Sequence, residues 1–196
     1  DLTCVLTFGP VLLGRKRDAR DDSLLRAVSN AFVKRGMEVC PATDFAPELL
    51  ETKGTLTRPK PSSTQRSDIE AGWRAARQMG ALDIGQSVTV KDGTIIAVEA
   101  IEGTDACIER TGQLCRRGGW ALVKVSKPNQ DMRFDVPTIG PQTVANVHRA
   151  GGKVIAIEAD KTIVVQRAKT IELAKQSGIK IMAFDEAEIR LAMESA

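Results

Sequence analysis

Two stretches of the chain gather residue types able to handle phosphate and a metal ion. The first, 82–105, reads LDIGQSVTVKDGTIIAVEAIEGTD and closes on Glu99, Glu102, Thr104 and Asp105. The second, 127–143, reads KPNQDMRFDVPTIGPQT, with Asp131, Arg133 and Asp135 ahead of Pro137, Thr138 and Gly140. Each stands just before a predicted helix. A helix start presents unpaired backbone N–H groups and the positive end of the helix dipole, which suits phosphate. Carboxylates beside such a start can hold a hard divalent cation that bridges to the same phosphate. Residue types alone therefore point to a phosphorylated ligand and a metal.

Every one of these residues also has a plainer reading. Asp135 lies between Phe134 and Val136-Pro137, where the following proline restricts the backbone. A charge there costs desolvation unless a cation or several N–H donors meet it. It either holds a metal, or it caps the next helix or pairs with Arg133 or a nearby lysine. Glu102 and Asp105 are metal candidates, or acids that favour the first turn of a helix. Gly103 lets backbone approach a ligand, and Thr104 donates to phosphate or caps the helix. Lys127, Gln130, Asp131 and Arg133 form a third phosphate-binding group, whose lysine and arginine offset the charge that builds during phosphoryl transfer, or else a solvated polar loop. Thr138 and Thr143 add hydroxyls to the phosphate-binding candidates.

Other chemistries are disfavoured. The one histidine, His148, sits beside Val147 on a predicted helix and reads as a bystander. That makes a Ser–His or Cys–His mechanism unattractive. Cys4, Cys40, Cys107 and Cys115 show no CxxC spacing, so they read as reduced thiols and not as a zinc site. No Walker loop or dinucleotide fingerprint is present. A net charge of +3 with no tyrosine argues against nucleic acid.

The elements that must position the two stretches are legible in outline. Asp21 or Asp22 caps a helix carrying Leu24, Leu25, Val28, Ala31 and Phe32, which Gly36 stops. A short strand is expected over Met37–Cys40, then a surface loop over 54–66. Ser67-Asp68-Ile69-Glu70 has capping-box spacing and opens a helix that turns Ile69, Trp73 and Ala76 inward and ends at Gly80. Ser87–Lys91 and Thr94–Glu99 form a hairpin at Asp92-Gly93. Thr104 caps a helix running to about Arg116, with Ile108 and Leu114 apolar and Gly112 a weak point. A buried strand over Trp120–Val125 follows. Pro141 opens a helix with Val144, Val147 and Ala150 on its apolar face, closed at Gly151-Gly152. Val154–Glu158 and Thr162–Gln166 are expected to pair around Asp160-Lys161. A helix through Ile171 and a strand over Ile179–Phe184 complete an α/β fold, a mixed β-sheet flanked by helices with at least one β-hairpin.

At 196 residues and 42% apolar, the chain can bury a core, and no apolar run approaches a membrane span. Its first residues, DLTCVLTFGPVLLG, do not read as a signal peptide, and the missing initiator Met suggests a fragment or processed chain. The basic run of Arg15, Lys16, Arg17 and Arg20 reads as a solvated linker.

The stretches ALDIGQSVTVKDGTIIAVEAIEGTDA (81–106) and KPNQDMRFDVPTIGPQT (127–143) resemble the C-terminal domain of the UDP-2,3-diacylglucosamine pyrophosphatase family of lipid A biosynthesis, long catalogued as a domain of unknown function. The resemblance runs from about Asp21 to Asp185. It implies metal-dependent hydrolysis of a lipid-linked nucleotide sugar, UDP-2,3-diacylglucosamine, to UMP and 2,3-diacylglucosamine 1-phosphate, with Mg²⁺ or Mn²⁺. The family's essential aspartate, in the DVPTIG motif, corresponds to Asp135; Val136 stands where many relatives have Leu. Residues 1–20 are then the remnant of a preceding N-terminal domain or linker, and 21–196 the catalytic-type C-terminal domain. The family's ligand lies between the two domains, so the isolated chain is expected to fall short of activity. A cytoplasmic location peripheral to the inner membrane, and a homodimer, are compatible with it. The alternatives are a non-catalytic nucleotide-sugar or lipid binding module and a broader nucleotide-sugar pyrophosphatase.

Overall fold

The computed structural model describes residues 21–189. The readings made above for residues 1–20 lie outside them. The chain forms two compact units: one takes the described residues up to Pro47 together with Asp131–Asp135, and the other takes Glu48–Gln130 and Val136 onward.

In the smaller unit, helix α1 spans Asp21–Val33. Gly36, at φ +77°, ends it as expected. The segment 37–40 forms no strand, because no partner strand supplies its hydrogen bonds among the described residues. The Arg133 guanidinium reaches the Ser29 hydroxyl at 3.4 Å and so ties the 131–135 segment to α1.

The larger unit is built on strands β1 (Gly54–Thr55), β2 (Ser87–Lys91), β3 (Thr94–Val98), β4 (Ala121–Lys124), β6 (Val154–Glu158) and β8 (Lys180–Phe184). They form one sheet in the order β1-β8-β6-β4-β2-β3. Strands β4, β6 and β8 are parallel to one another, whereas β1, β2 and β3 bring antiparallel pairings. The β2–β3 hairpin turns at Asp92-Gly93 with both residues at positive φ, the conformation a two-residue turn of this kind demands. A separate two-stranded sheet joins β5 (Thr138–Ile139) and β7 (Ile163–Val164) in parallel.

Helices cover both faces of the large sheet. On one, α2 (Ser63–Ala81) packs Ile69, Trp73 and Ala76 against Val88, Val90, Val123, Ala156 and Met182. On the other, α3 (Gly103–Leu114), α4 (Pro141–Arg149) and α5 (Arg167–Gln176) contribute Ile108, Val144, Val147 and Ala174 over Leu122, Ile155, Ile157 and Ile181. Full burial of each large aliphatic side chain here is worth about 1.5–3 kcal/mol, so two-sided covering is what holds the β4–β6–β8 core. Among the described residues, no helix is long and apolar enough to cross a membrane.

Further expectations fail locally. Helix α2 starts at Ser63, four residues before the expected box, because Ser62 and Gln65 form the reciprocal cap themselves. The loop expected over 54–66 therefore contains both β1 and the first turn of α2. The 162–166 segment does not pair with β6, since β4 and β8 already occupy both edges of that strand. Instead the Ile163 N–H donates to the Pro137 carbonyl and starts the second sheet. Leu114, expected on the apolar face of α3, is exposed at the last turn of that helix. The cysteines within the described residues, Cys40, Cys107 and Cys115, are free thiols, as their spacing implied.

An ion pair clasps the β1–β8 edge. The Lys53 ammonium lies 2.7 Å from Asp185 and 3.2 Å from Glu188. The hydrogen bond from Lys53 holds the Asp185 carboxyl below its ordinary value, and the bond to Asp185 pushes Lys53 above its own. A depressed carboxyl stabilises the fold above its unfolded pKa and loses that contribution as pH falls through the folded one; a raised lysine loses its contribution as pH rises through the folded value. In thermal melts, Lys53→Met is therefore expected to lower Tm near neutrality, with the difference shrinking below about pH 4 and again above about pH 10. A difference constant across that range would mean that the clasp contributes only packing.

Candidate functional site

The carboxyl ends of β4, β6 and β8 form one edge of the large sheet, the place where open α/β sheets receive ligands. Ser87 opens β2 opposite Lys124, the last residue of β4. The Glu99 N–H donates to the Ser87 carbonyl, so Ser87, Glu99 and Lys124 share this edge. Strand alternation puts Lys124 on the same face as Leu122, beneath the start of α3.

There the side chains form a directed chain of hydrogen bonds. The Lys124 ammonium donates to the Thr104 hydroxyl at 2.9 Å, and Thr104 donates to Oε1 of Glu99 at 2.7 Å. An ammonium has only donors, so Thr104 must accept from it and can offer its one proton to Glu99. The Ser87 hydroxyl stands 3.5 Å from the Thr104 hydroxyl oxygen. Glu99 and Lys124 each retain 7% exposure, which makes this a buried arrangement. Oε2 of Glu99 is buried without a hydrogen-bond partner. Leaving such an oxygen unpaired costs free energy, which marks the edge as a place where packing alone did not dictate the residues. Gly85 is fixed by the same feature: a Cβ there would lie 2.1 Å from the Glu99 carbonyl oxygen.

On the other face of this edge, Glu158 ends β6. Its Oε2 accepts from both the N–H (2.8 Å) and the hydroxyl (2.7 Å) of Ser126. Its Oε1 pairs with Arg77 of α2 at 2.5 Å. Arg77 also donates to the Ser126 carbonyl at 2.8 Å and reaches Glu186 at 3.1 Å. This network holds the loop that leads out of β4 into Lys127.

The expected site residues are spread over several tasks. Thr104 does not cap α3, which begins at Gly103; the hydroxyl turns to Glu99 instead. Gly103 adopts φ +80°, with open space where a Cβ would stand, so its conformation is what calls for glycine. Glu102 pairs with Arg110 through one oxygen, while its other oxygen accepts from the Ala100 N–H at 3.2 Å. Backbone hydrogen bonding, then Arg110, holds its carboxyl below the ordinary glutamate value. Asp105 is exposed in the first turn of α3. Lys127 donates to Asp83 at 2.8 Å, and its N–H bonds Oε1 of Gln130 at 2.9 Å. The Thr138 hydroxyl donates to the Val136 carbonyl, and the Thr143 hydroxyl accepts from the Gly140 N–H, so both fasten local backbone.

Asp131, Arg133 and Asp135 belong to the smaller unit. Arg133 forks onto Asp131 with bonds of 2.8 and 2.7 Å, which pushes its guanidinium pKa up, and it stacks 5.0 Å over the Phe134 ring. Asp135 is half-buried, and its N–H donates to the Asp131 carbonyl at 3.2 Å. Within each unit, among the described residues, no three His, Cys, Asp or Glu side chains gather as a metal-holding group. His148 is exposed, as a bystander would be. Sequence reasoning missed Lys124, Ser87 and the Arg77–Glu158 pair. The one available signal was a lysine in phase with Leu122 at the end of an otherwise apolar strand.

Comparison with known proteins gives two matches. The family model described as the LpxI C-terminal domain matches residues 52–182. The UDP-2,3-diacylglucosamine pyrophosphatase LpxI of Caulobacter vibrioides is 38% identical over 176 residues, covering 86% of this chain and 62% of that protein. The chain thus spans less than two thirds of that relative's length.

Proposed function

Since the chain belongs to the LpxI C-terminal domain family, we propose that it forms the C-terminal part of an enzyme that hydrolyses the pyrophosphate of UDP-2,3-diacylglucosamine. Water adds at phosphorus as the anhydride P–O bond breaks, and UMP and 2,3-diacylglucosamine 1-phosphate are released. The observation that carries this reading is the buried Lys124–Thr104–Glu99 chain at the carboxyl edge of the sheet, beside the start of α3. A fixed ammonium and a helix start are suited to the charge that grows on phosphate oxygens during transfer. Lys127, one turn beyond β4, adds a second cation, oriented by Asp83.

Mg²⁺ or Mn²⁺ would polarise the phosphate and activate water when bound. Mg²⁺ commonly takes only one or two protein carboxylates, so a sparse donor set is compatible with it. We assign Asp135, the counterpart of the family's essential aspartate, to it; within the larger unit, both oxygens of Glu102 are already engaged by Arg110 and Ala100. The substrate's acyl chains would place the enzyme at the cytoplasmic surface of the inner membrane, with the rest of the cleft supplied by an N-terminal domain.

The test is direct. The full-length enzyme, with its N-terminal domain attached, should release UMP and the acylated sugar phosphate from UDP-2,3-diacylglucosamine, resolved by mass spectrometry, and EDTA should abolish release. Equal turnover of UDP-sugars without acyl chains would replace this reading with a broader pyrophosphatase. Binding without turnover would replace it with a binding module.

A further inference from the structure

Helix α2 ends in a fully bonded turn at an unusual residue. The Asp83 N–H donates to the Gly80 carbonyl at 3.0 Å, and the Ile84 N–H donates to the Met79 carbonyl at 3.0 Å. This pair of bonds is the Schellman arrangement, in which the residue after the cap turns left-handed and is usually glycine. Here that residue is Asp83, at φ +58°. Aspartate tolerates the conformation better than most residues, but glycine meets it at no steric cost. The charge also has the wrong sign, because a carboxylate at a helix C-terminus opposes the helix dipole. Two local preferences therefore disfavour aspartate at this position.

What the carboxylate does is hold Lys127. Its Oδ1 lies 2.8 Å from the Lys127 ammonium, with the two side chains 31% and 23% exposed. A pair this exposed contributes little to stability, so it does not offset both unfavourable terms. The backbone of Lys127 is fixed as closely. A Cβ on Gly80 would stand 3.1 Å from the Lys127 Cα and 3.1 Å from the Pro128 Cδ, so the end of α2 packs directly on this residue. The Lys127 N–H bonds Gln130, and Ser126 just before it is gripped by Glu158 and Arg77 at its N–H, hydroxyl and carbonyl. Both ends of a long side chain are thus set before any ligand arrives, and that ordering is not left to the reaction itself.

We propose that Asp83 is a positioning residue: it aims the Lys127 ammonium at the phosphates of the substrate, against the preference of the helix end that carries it. The inference rests on the proposed function for the identity of that anion. An ammonium carries three donors, and the bond to Asp83 uses one of them to fix its direction.

Asp83→Gly in the full-length enzyme separates positioning from stability, because the two should not fall together. Its Tm should equal or exceed that of the wild type. Its kcat on UDP-2,3-diacylglucosamine should fall about tenfold or more, with KM nearly unchanged. Asp83→Asn keeps an acceptor oxygen for the ammonium, so its kcat should lie between the two. In a Lys127→Met background, Asp83→Gly should lower kcat no further, since its effect runs through the lysine. A Tm loss that accounts for the kcat loss, unchanged kcat in folded Asp83→Gly, or losses that multiply in the double variant would overturn the proposal. Acetylation of Lys127 by acetic anhydride, followed by mass spectrometry, needs no turnover and should be faster in Asp83→Gly than in wild type. If wild-type enzyme failed to hydrolyse UDP-2,3-diacylglucosamine, the proposed function would fall and the labelling rate would decide alone. A faster rate would then leave Asp83 assigned to Lys127, and an unchanged rate would remove it.

Discussion

In the full-length enzyme, Asp135→Ala is expected to lower turnover of UDP-2,3-diacylglucosamine by about 10²-fold or more while leaving substrate affinity nearly unchanged. Much of the affinity should come from uridine and the acyl chains, which lie away from phosphorus. A metal-holding carboxylate acts mainly where charge develops in the transition state. The bland role predicts something else. If the Asp135 side chain only capped or paired locally, its loss would cost about 1 kcal/mol of stability, and activity would follow the folded fraction. Steady-state kinetics with circular dichroism on the same sample separates the two. Near-normal turnover in folded Asp135→Ala would remove this residue from the chemistry.

The largest stability effect is expected at Arg77. Arg77→Met should cost about 3 kcal/mol, because it removes the cation from Glu158, whose side chain keeps 7% exposure. The two donors of Ser126 still satisfy Oε2, so the loss falls at the low end of the range for a broken buried pair. For a chain of this size, that is a fall in Tm of roughly 6–12 °C. Replacing both partners, Arg77→Met with Glu158→Leu, should recover part of the loss, since no charge is then left unpaired. A double variant no more stable than Arg77→Met would place the stabilisation in the packing of Arg77 on Trp73, 5.8 Å from the ring, and not in the ion pair.

What the sequence revealed follows how local each signal is. The Asp92-Gly93 hairpin, Pro141 at the head of α4, and the stop at Gly36 rest on backbone preferences of a few residues, and all appear where expected. The partner of β7 could not be read this way. Its pairing depends on β6 being already enclosed by β4 and β8, which is a property of the assembled sheet. The start of α2 was missed because two boxes follow closely, Ser62–Gln65 and Ser67–Glu70, and the helix takes the earlier one, which leaves Asp68 and Ile69 buried inside it. Site residues divide similarly. Glu99 and Thr104 stood out as a cluster of polar types in a turn, whereas Lys124 is separated from them by a helix and is recognisable only once β4 lies beside β2.

The edge pairing of β1 with β8 has a consequence for how the chain is made. Gly54 pairs with Ala183, so the strand at one border of the large sheet waits for a partner near the far end of the described chain. The Lys53–Asp185 clasp waits equally long. On a ribosome that adds about 5–20 residues each second, β1 spends several seconds exposed before β8 is synthesised. During that interval β2, β3 and β4 can already pair as neighbours, leaving the β4 edge open until β6 arrives. Closure must then overcome the entropy of a long loop, which slows folding more than it weakens the finished fold. The nascent chain, not the finished domain, is therefore the form most exposed to wrong strand pairing, and the short two-residue β1 limits what can be templated meanwhile.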